Sequence, residues 1–212
     1  MELARCLPVD TLLPDEASYR AAYRTLPEWR RKKCDAFRFA ADRRRSVAVW
    51  LLARRLFGEI GFDDASAVVA ENEYGKPYFV GKTSPHFSLS HAGDLVMAAV
   101  ADRPIGCDVE RIAPLLPGMA EHCLTEDELA HLDRSTDRER EFYRLWVRKE
   151  SALKALGSGF QYEPRELSVL SDLLPHGVTI RDFPPPADDY LAAVCDARPI
   201  AFLACNLREN LI

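Results

Sequence analysis

Two stretches of the chain echo one another. Asp94-Leu-Val-Met-Ala98-Ala-Val-Ala-Asp-Arg103-Pro104-Ile105 recurs as Asp189-Tyr-Leu-Ala-Ala193-Val-Cys-Asp-Ala-Arg198-Pro199-Ile200, with five identities in twelve positions at a constant offset of 95 residues. That repetition limits the fold more than any other feature. A chain of 212 residues suits one domain or two small ones, and the echo predicts two similar halves divided near residue 103. Chance likeness between two small apolar hairpins is the competing explanation. The acidic pair after the first copy, Asp108 and Glu110, has no counterpart after Ile200, where the chain reads Ala201-Phe202-Leu203-Ala204-Cys205. If the halves are duplicates, one kept that chemistry.

The elements follow from periodicity. Arg30 to Gly61 reads as mainly helical, with Gly61 as its stop. Short strands are predicted at Val68-Val69 and Tyr78-Val80, around the turn Glu73-Tyr74-Gly75-Lys76-Pro77. Further strands are His86–Ser90, Leu95–Val100, Leu191–Cys195 and Ile200–Leu207, and Pro184-Pro185-Pro186 is a loop. In Ile105–Glu110, alternation puts Ile105, Cys107 and Val109 on one face and Asp108 and Glu110 on the other. Thr125-Glu126-Asp127-Glu128 reads as a capping-box helix start. Glu139 to Leu156 is a strong helix closed by Gly157, with the apolar stripe Phe142, Leu145, Trp146, Leu153 and Leu156.

Composition excludes several classes. Hydrophobic residues make up 48% and charged residues 29%, enough for a packed core and against disorder. No apolar run approaches the length that crosses a bilayer, and the start MELARCLPVD lacks a secretory signal, so a cytoplasmic protein is expected. The six cysteines form no C-x-x-C pair and read as reduced, packed thiols. The net charge of −5 is uneven. Residues 1–60 hold 13 Lys+Arg against 8 Asp+Glu (+5), and residues 61–212 hold 15 against 25 (−10). A basic first third on an acidic protein predicts one local anionic ligand, against the alternative of solvated helix faces.

Three residue sets could do chemistry. Asp108 and Glu110, at i, i+2 on a strand, share a face, where two carboxylates repel unless a cation sits between them. A hard ion such as Mg²⁺ suits that pair, and a solvated acidic edge is the plain alternative. On the helix, Glu150 lies about 40° beyond Trp146 and Lys154 about 40° further, at the border of core and solvent. They could reach a cleft, or form an i, i+4 salt bridge. Lys149 projects into the apolar arc, so its stem snorkels or the arc faces a polar cleft there. Ser90-His91 follows a strand; adjacent residues point opposite ways, so hydrogen bonding to a phosphate suits them better than nucleophilic catalysis, with a structural histidine as alternative. Lys76 stands in the Gly-Pro turn, where it could meet a ligand or simply be solvated. Phosphate-binding glycine motifs of the ordinary nucleotide folds are absent.

Taken in order, Glu73–Pro77, His86–Gly93, Ile105–Glu110 and Trp146–Lys154 closely resemble the motif series of 4′-phosphopantetheinyl transferases of the larger, surfactin-synthetase-activating (Sfp-type) class. The match spans roughly residues 25–160, and the tail beyond 165 adds only the echo. The resemblance implies an α+β pseudo-dimer of two similar α+β halves, 1–102 and 103–212, with one active site between them. It implies transfer of phosphopantetheine from coenzyme A to a serine of an apo acyl- or peptidyl-carrier protein, releasing 3′,5′-ADP. Asp108, Glu110 and Glu150 would hold Mg²⁺, with Mn²⁺ an alternative. Lys154 would contact the pantetheine-side phosphate, Ser90 and His91 the phosphates, with His91 near the 3′-phosphate, and Lys76 the adenosine end. Arg30, Lys33, Arg45 and Ser46 match, more loosely, the region lining the coenzyme's phosphates. Glu150 is the candidate base, with Lys154 and Asp108 completing the catalytic set. Cys107 replaces the usual branched apolar residue and should merely pack. Ser151 stands where Ala or Ser is familiar. A monomer with no nucleic-acid or membrane partner is expected. The rivals are a Mg²⁺-dependent nuclease, disfavoured by the overall acidity and the lack of a broad basic stretch beyond residue 60, and a non-catalytic module that binds coenzyme A or carriers, disfavoured by the intact acidic trio.

Overall fold

The computed structural model describes residues 1–81, 83–157 and 163–197. The first half runs β1 (Glu2–Pro8), α1 (Val9–Leu12), α2 (Glu16–Arg24), α3 (Glu28–Asp35), α4 (Ala40–Glu59), the hairpin β2 (Val69–Glu71) and β3 (Pro77–Phe79), then β4 (His86–Ala92) and β5 (Leu95–Ala101). The second runs β6 (Ile105–Arg111), α5 (Met119–Cys123), α6 (Glu126–Leu132), α7 (Arg138–Leu156), β7 (Leu173–Leu174), β8 (Val178–Phe183) and β9 (Tyr190–Ala197). The two main sheets are antiparallel, ordered β1-β5-β4 and β6-β9-β8-β7. The fold is α+β in two similar halves. Each sheet carries one long helix, α4 or α7, and the echoing segments become β5 and β9, each an inner strand of its own sheet.

Three apolar layers result. Trp50, Leu52, Leu56 and Phe57 of α4 pack on Phe87, Val96 and Val100. Phe142, Leu145, Ala152 and Leu153 of α7 pack on Ile180, Ala193 and Cys195. Between the sheets, Cys6, Met97 and Ala99 meet Ile105, Cys107, Val109 and Val194, so the predicted apolar face of β6 is buried and its Gly106-Asp108-Glu110 face turns to α7. Cys107 packs as expected, and the described cysteines are free thiols. No described helix is long and apolar enough to cross a membrane.

The edges of the two sheets meet at β4 and β6. The Ser88 hydroxyl accepts from Cys107 N at 3.0 Å and the Ser90 hydroxyl from Val109 N at 3.4 Å. Side-chain oxygens thus satisfy backbone donors across the seam between the halves.

Three sequence expectations change. The stretch from Arg30 to Gly61 is two helices, broken at 36–39, where Arg43 donates to the carbonyls of Phe37 and Arg38. The hairpin strands lie one or two residues from the predicted positions, and β1 and β8 were not predicted. Lys149 neither snorkels nor faces a cleft: it is fully buried, with Nζ 2.6 Å from Glu128 Oε2 and 2.8 Å from the Pro164 carbonyl. Glu128 also completes the predicted capping box with Thr125. The strand predicted at Ile200–Leu207 lies outside the described residues.

Candidate active site

A cavity of about 600 Å³ opens along the seam, within the range of small-ligand and cofactor sites. The first half supplies Arg30 and Lys33 of α3, Ser46 of α4, the hairpin turn from Tyr74 to Pro77, and β4 from Phe87 to His91. The second supplies Asp108 and Glu110 of β6 and Trp146, Glu150, Leu153 and Lys154 of α7. Arg45 is not among the lining residues; its guanidinium donates to the Gly93 carbonyl at 3.0 Å and pairs with Asp42 at 2.5 Å.

The acidic wall is built by the close approach of α7 to β6. A Cβ on Gly106 would lie 1.9 Å from the Ser151 carbonyl oxygen and 2.5 Å from Ala155 N, so only glycine admits the helix backbone here. Asp108 is 2% exposed. Its Oδ1 accepts from Lys154 Nζ and from the Ser90 hydroxyl, both at 2.6 Å, and Lys154 lies 3.2 Å from Ser90. Lys154 therefore pairs with Asp108, not with Glu150 one helical turn away. Burial, with Asp108 and Glu150 close by, pushes the Glu110 carboxyl up to about 7. Burial and Asp108 also raise the Glu150 carboxyl, against the pull of Lys154. Withdrawal from water opposes the charge on Lys154, yet Asp108 and Glu150 hold its pKa above the ordinary lysine value.

A cation would suit this wall. Asp108 Oδ2 and Glu150 Oε1 are buried side-chain oxygens without a hydrogen-bond partner, an arrangement a desolvated carboxylate tolerates poorly. Among the described residues, no three Asp, Glu, His or Cys groups are gathered into a ready-made metal shell. The fit lies in the donor set and its two unpartnered oxygens.

The opposite wall is cationic. Arg30 is 5% exposed and sits beside the Trp29 and Trp50 rings at 5.9 Å. One nitrogen donates to the Ser46 carbonyl at 3.0 Å, while its Nε and the Ser46 hydroxyl are buried without partners. Burial pulls the Arg30 guanidinium down to about 10, still charged at neutral pH. Burial, then Arg45 and Arg30, lower the pKa of the His91 imidazole. Lys33 is more exposed, 3.6 Å from Glu71. Lys76 is not a solvated hairpin lysine. Its ammonium donates to the carbonyls of Ile105, at 3.1 Å, and Lys154, and burial pulls it down to about 8.

The sequence missed two lining or neighbouring groups. Trp146, assigned to the apolar stripe, lines the cavity. Asn72 stands one residue before the turn motif and bonds to Gly157 across the seam. An Asn ahead of a Gly-Pro turn signals an Asx turn, but nothing local signals the distant carbonyl.

Two helix-backed sheets enclosing a cleft with cations on one wall and carboxylates on the other define a protein built to hold an anionic ligand between two halves. Family comparison makes the class specific. Residues 11–103 match the model described as 4′-phosphopantetheinyl transferase, N-terminal, and residues 104–195 that of the 4′-phosphopantetheinyl transferase superfamily. A 4′-phosphopantetheinyl transferase of Bacillus subtilis is 32% identical over 186 residues, covering 80% of this chain and 81% of that one. Sfp of Bacillus subtilis strain 168 is 30% identical over 167 residues, covering 76% and 73%. The transferase psf-1 of Bacillus pumilus is 35% identical over 136 residues, covering 63% and 58%. The chain belongs to the 4′-phosphopantetheinyl transferase family and is an enzyme of that class.

Proposed function

We propose that the protein transfers 4′-phosphopantetheine from coenzyme A to a serine hydroxyl of an apo acyl- or peptidyl-carrier protein, releasing 3′,5′-ADP. One observation carries this: a single cavity with unpartnered buried polar groups of both kinds, Arg30 Nε and Ser46 Oγ on one side, Asp108 Oδ2 and Glu150 Oε1 on the other. A diphosphate neutralised by a metal ion at one end and by protein cations at the other satisfies both. Residues 1–102 would then hold the coenzyme's phosphates and adenosine, and 103–212 the metal side.

In the reaction, the serine oxygen forms a bond to the pantetheine-side phosphorus as the bond to the bridging diphosphate oxygen breaks. Glu150 is the candidate base for the hydroxyl proton, directly or through a bound water. Lys154, held at the cleft by Asp108 and Ser90, offsets charge developing on the transferred phosphate. Arg30, Lys33, Ser46 and His91 hold the leaving 3′,5′-ADP. A Mg²⁺ ion bound by Asp108, Glu110 and Glu150, or Mn²⁺ in its place, would supply charge neutralisation at the diphosphate oxygens. Lys76, spent on two carbonyls, would shape the adenosine end more than contact it.

Intact mass of several apo carriers after incubation with the enzyme, coenzyme A and Mg²⁺ tests the reading. One phosphopantetheinyl increment on a carrier is expected. Asp108→Ala should lower turnover at least about a hundredfold, and undiminished wild-type turnover in EDTA would sink the metal role.

A further inference from the structure

Asn72 belongs to none of the groups assigned to the phosphates or the metal, yet it joins two walls of the cavity. Its Oδ1 accepts from the backbone N–H of Tyr74 at 3.0 Å and of Lys76 at 2.9 Å, shaping the β2–β3 turn. Its Nδ2 donates to the Gly157 carbonyl at 2.7 Å. Alongside, Lys76 Nζ donates to the Lys154 carbonyl. A turn of the first half therefore grips the last turn of α7, where carbonyls lack intrahelical partners and the helix dipole is negative. The gripped helix carries Glu150 and Lys154. The turn (Tyr74–Pro77) and the helix end (Leu153, Lys154, Gly157) are both cavity walls.

The two ends of the Asn72 amide do separate work. The oxygen alone suffices for the turn, and an aspartate would supply it; only the nitrogen reaches across to Gly157. We propose that Asn72 is a positioning residue for the donor substrate: its amide nitrogen latches the hairpin to the end of α7 and so fixes the spacing between the turn wall and Lys154. This rests on the reading that the cavity binds coenzyme A.

Asn72→Asp keeps the turn acceptor and removes the cross-seam donor. Its affinity for coenzyme A, measured by calorimetry, should fall about tenfold, the equivalent of one lost hydrogen bond. The KM for coenzyme A should rise in parallel, and kcat at saturation should fall as well, because the loosened helix carries Glu150 and Lys154. A melting temperature lowered with coenzyme A affinity intact would mean a merely structural contact and would overturn the proposal. Hydrogen exchange in the ligand-free protein separates the latch from the functional reading. Peptides covering residues 150–157 should exchange faster in Asn72→Asp than in wild type, and unchanged exchange overturns the latch whatever the cavity binds. If exchange responds but wild-type protein binds no coenzyme A, the functional reading fails and the donor role with it.

Discussion

At the level of single residues, the cleft is a place where titration and binding are coupled. Glu110 has its carboxyl raised from 4.5 to about 7 by burial and by the carboxylates beside it. The folded state therefore binds this proton more tightly than the unfolded chain, so the contribution of Glu110 to stability is full at low pH and is lost as pH rises from 4.5 through about 7. In metal-free buffer, thermal melts should show the midpoint falling across that window, and Glu110→Gln should flatten the fall; an identical slope in the variant would contradict it. On the opposite wall, His91→Ala should weaken coenzyme A about tenfold more than 3′-dephospho-coenzyme A. Equal losses for the two donors, measured as KM or as calorimetric affinity, would remove the 3′-phosphate from its neighbourhood. The residues of both walls were readable mainly because their motifs, taken in order, resemble those of a known family; taken singly, each had a plain structural alternative. Their partners were less readable: Lys154 of α7 turns to Asp108 of β6, and Lys76 to two carbonyls, choices made by tertiary packing.

Among the elements, α7 and β6 set the chemistry and were the most legible. A period of 3.6 with a glycine stop marks α7, and a period of 2 marks β6, whose apolar face is buried as alternation requires. The break between α3 and α4 was hidden because no Gly or Pro marks it; carbonyls satisfied by Arg43 end the helix instead. The buried Lys149–Glu128 pair was hidden too, since a lysine in an apolar arc gives no hint of the carboxylate that meets it. Gly106 shows what the α7–β6 contact demands. In Gly106→Ala the new methyl must push the helix off the strand, costing roughly 1–3 kcal/mol, and Glu150 and Lys154 move with the helix. Urea unfolding should show the loss and carrier modification should slow in the folded fraction; a fully active, equally stable variant would refute the tight approach.

For the molecule as a whole, the echo proved the most informative stretch of sequence, because repeated strands become inner strands of two sheets. What it could not convey is how the sheets are fastened. A charge network does part of this: Arg103 lies 2.9 Å from Glu2 of β1 and 3.1 Å from Asp196 of β9, and Arg181 of β8 also reaches Glu2. Arg103→Leu should lower stability by about 1–3 kcal/mol and reduce its dependence on ionic strength, measured by urea unfolding at low and high salt; a variant as salt-sensitive as wild type would exclude the network as a fastening.

The placement of opposite charges on facing walls also gives the cleft a heading. A ligand anionic along its whole length could lie in either sense, but under the proposed function one with a separate phosphate at one extremity and a diphosphate further along would meet the guanidinium and imidazole with the first and, with the second, the carboxylates and the ion they would hold. Reversed, the diphosphate would lie away from the ion that the carboxylates would hold. If the proposed function holds, the pantetheine arm of such a donor would be delivered to the same mouth each time, and an incoming carrier would approach from one direction.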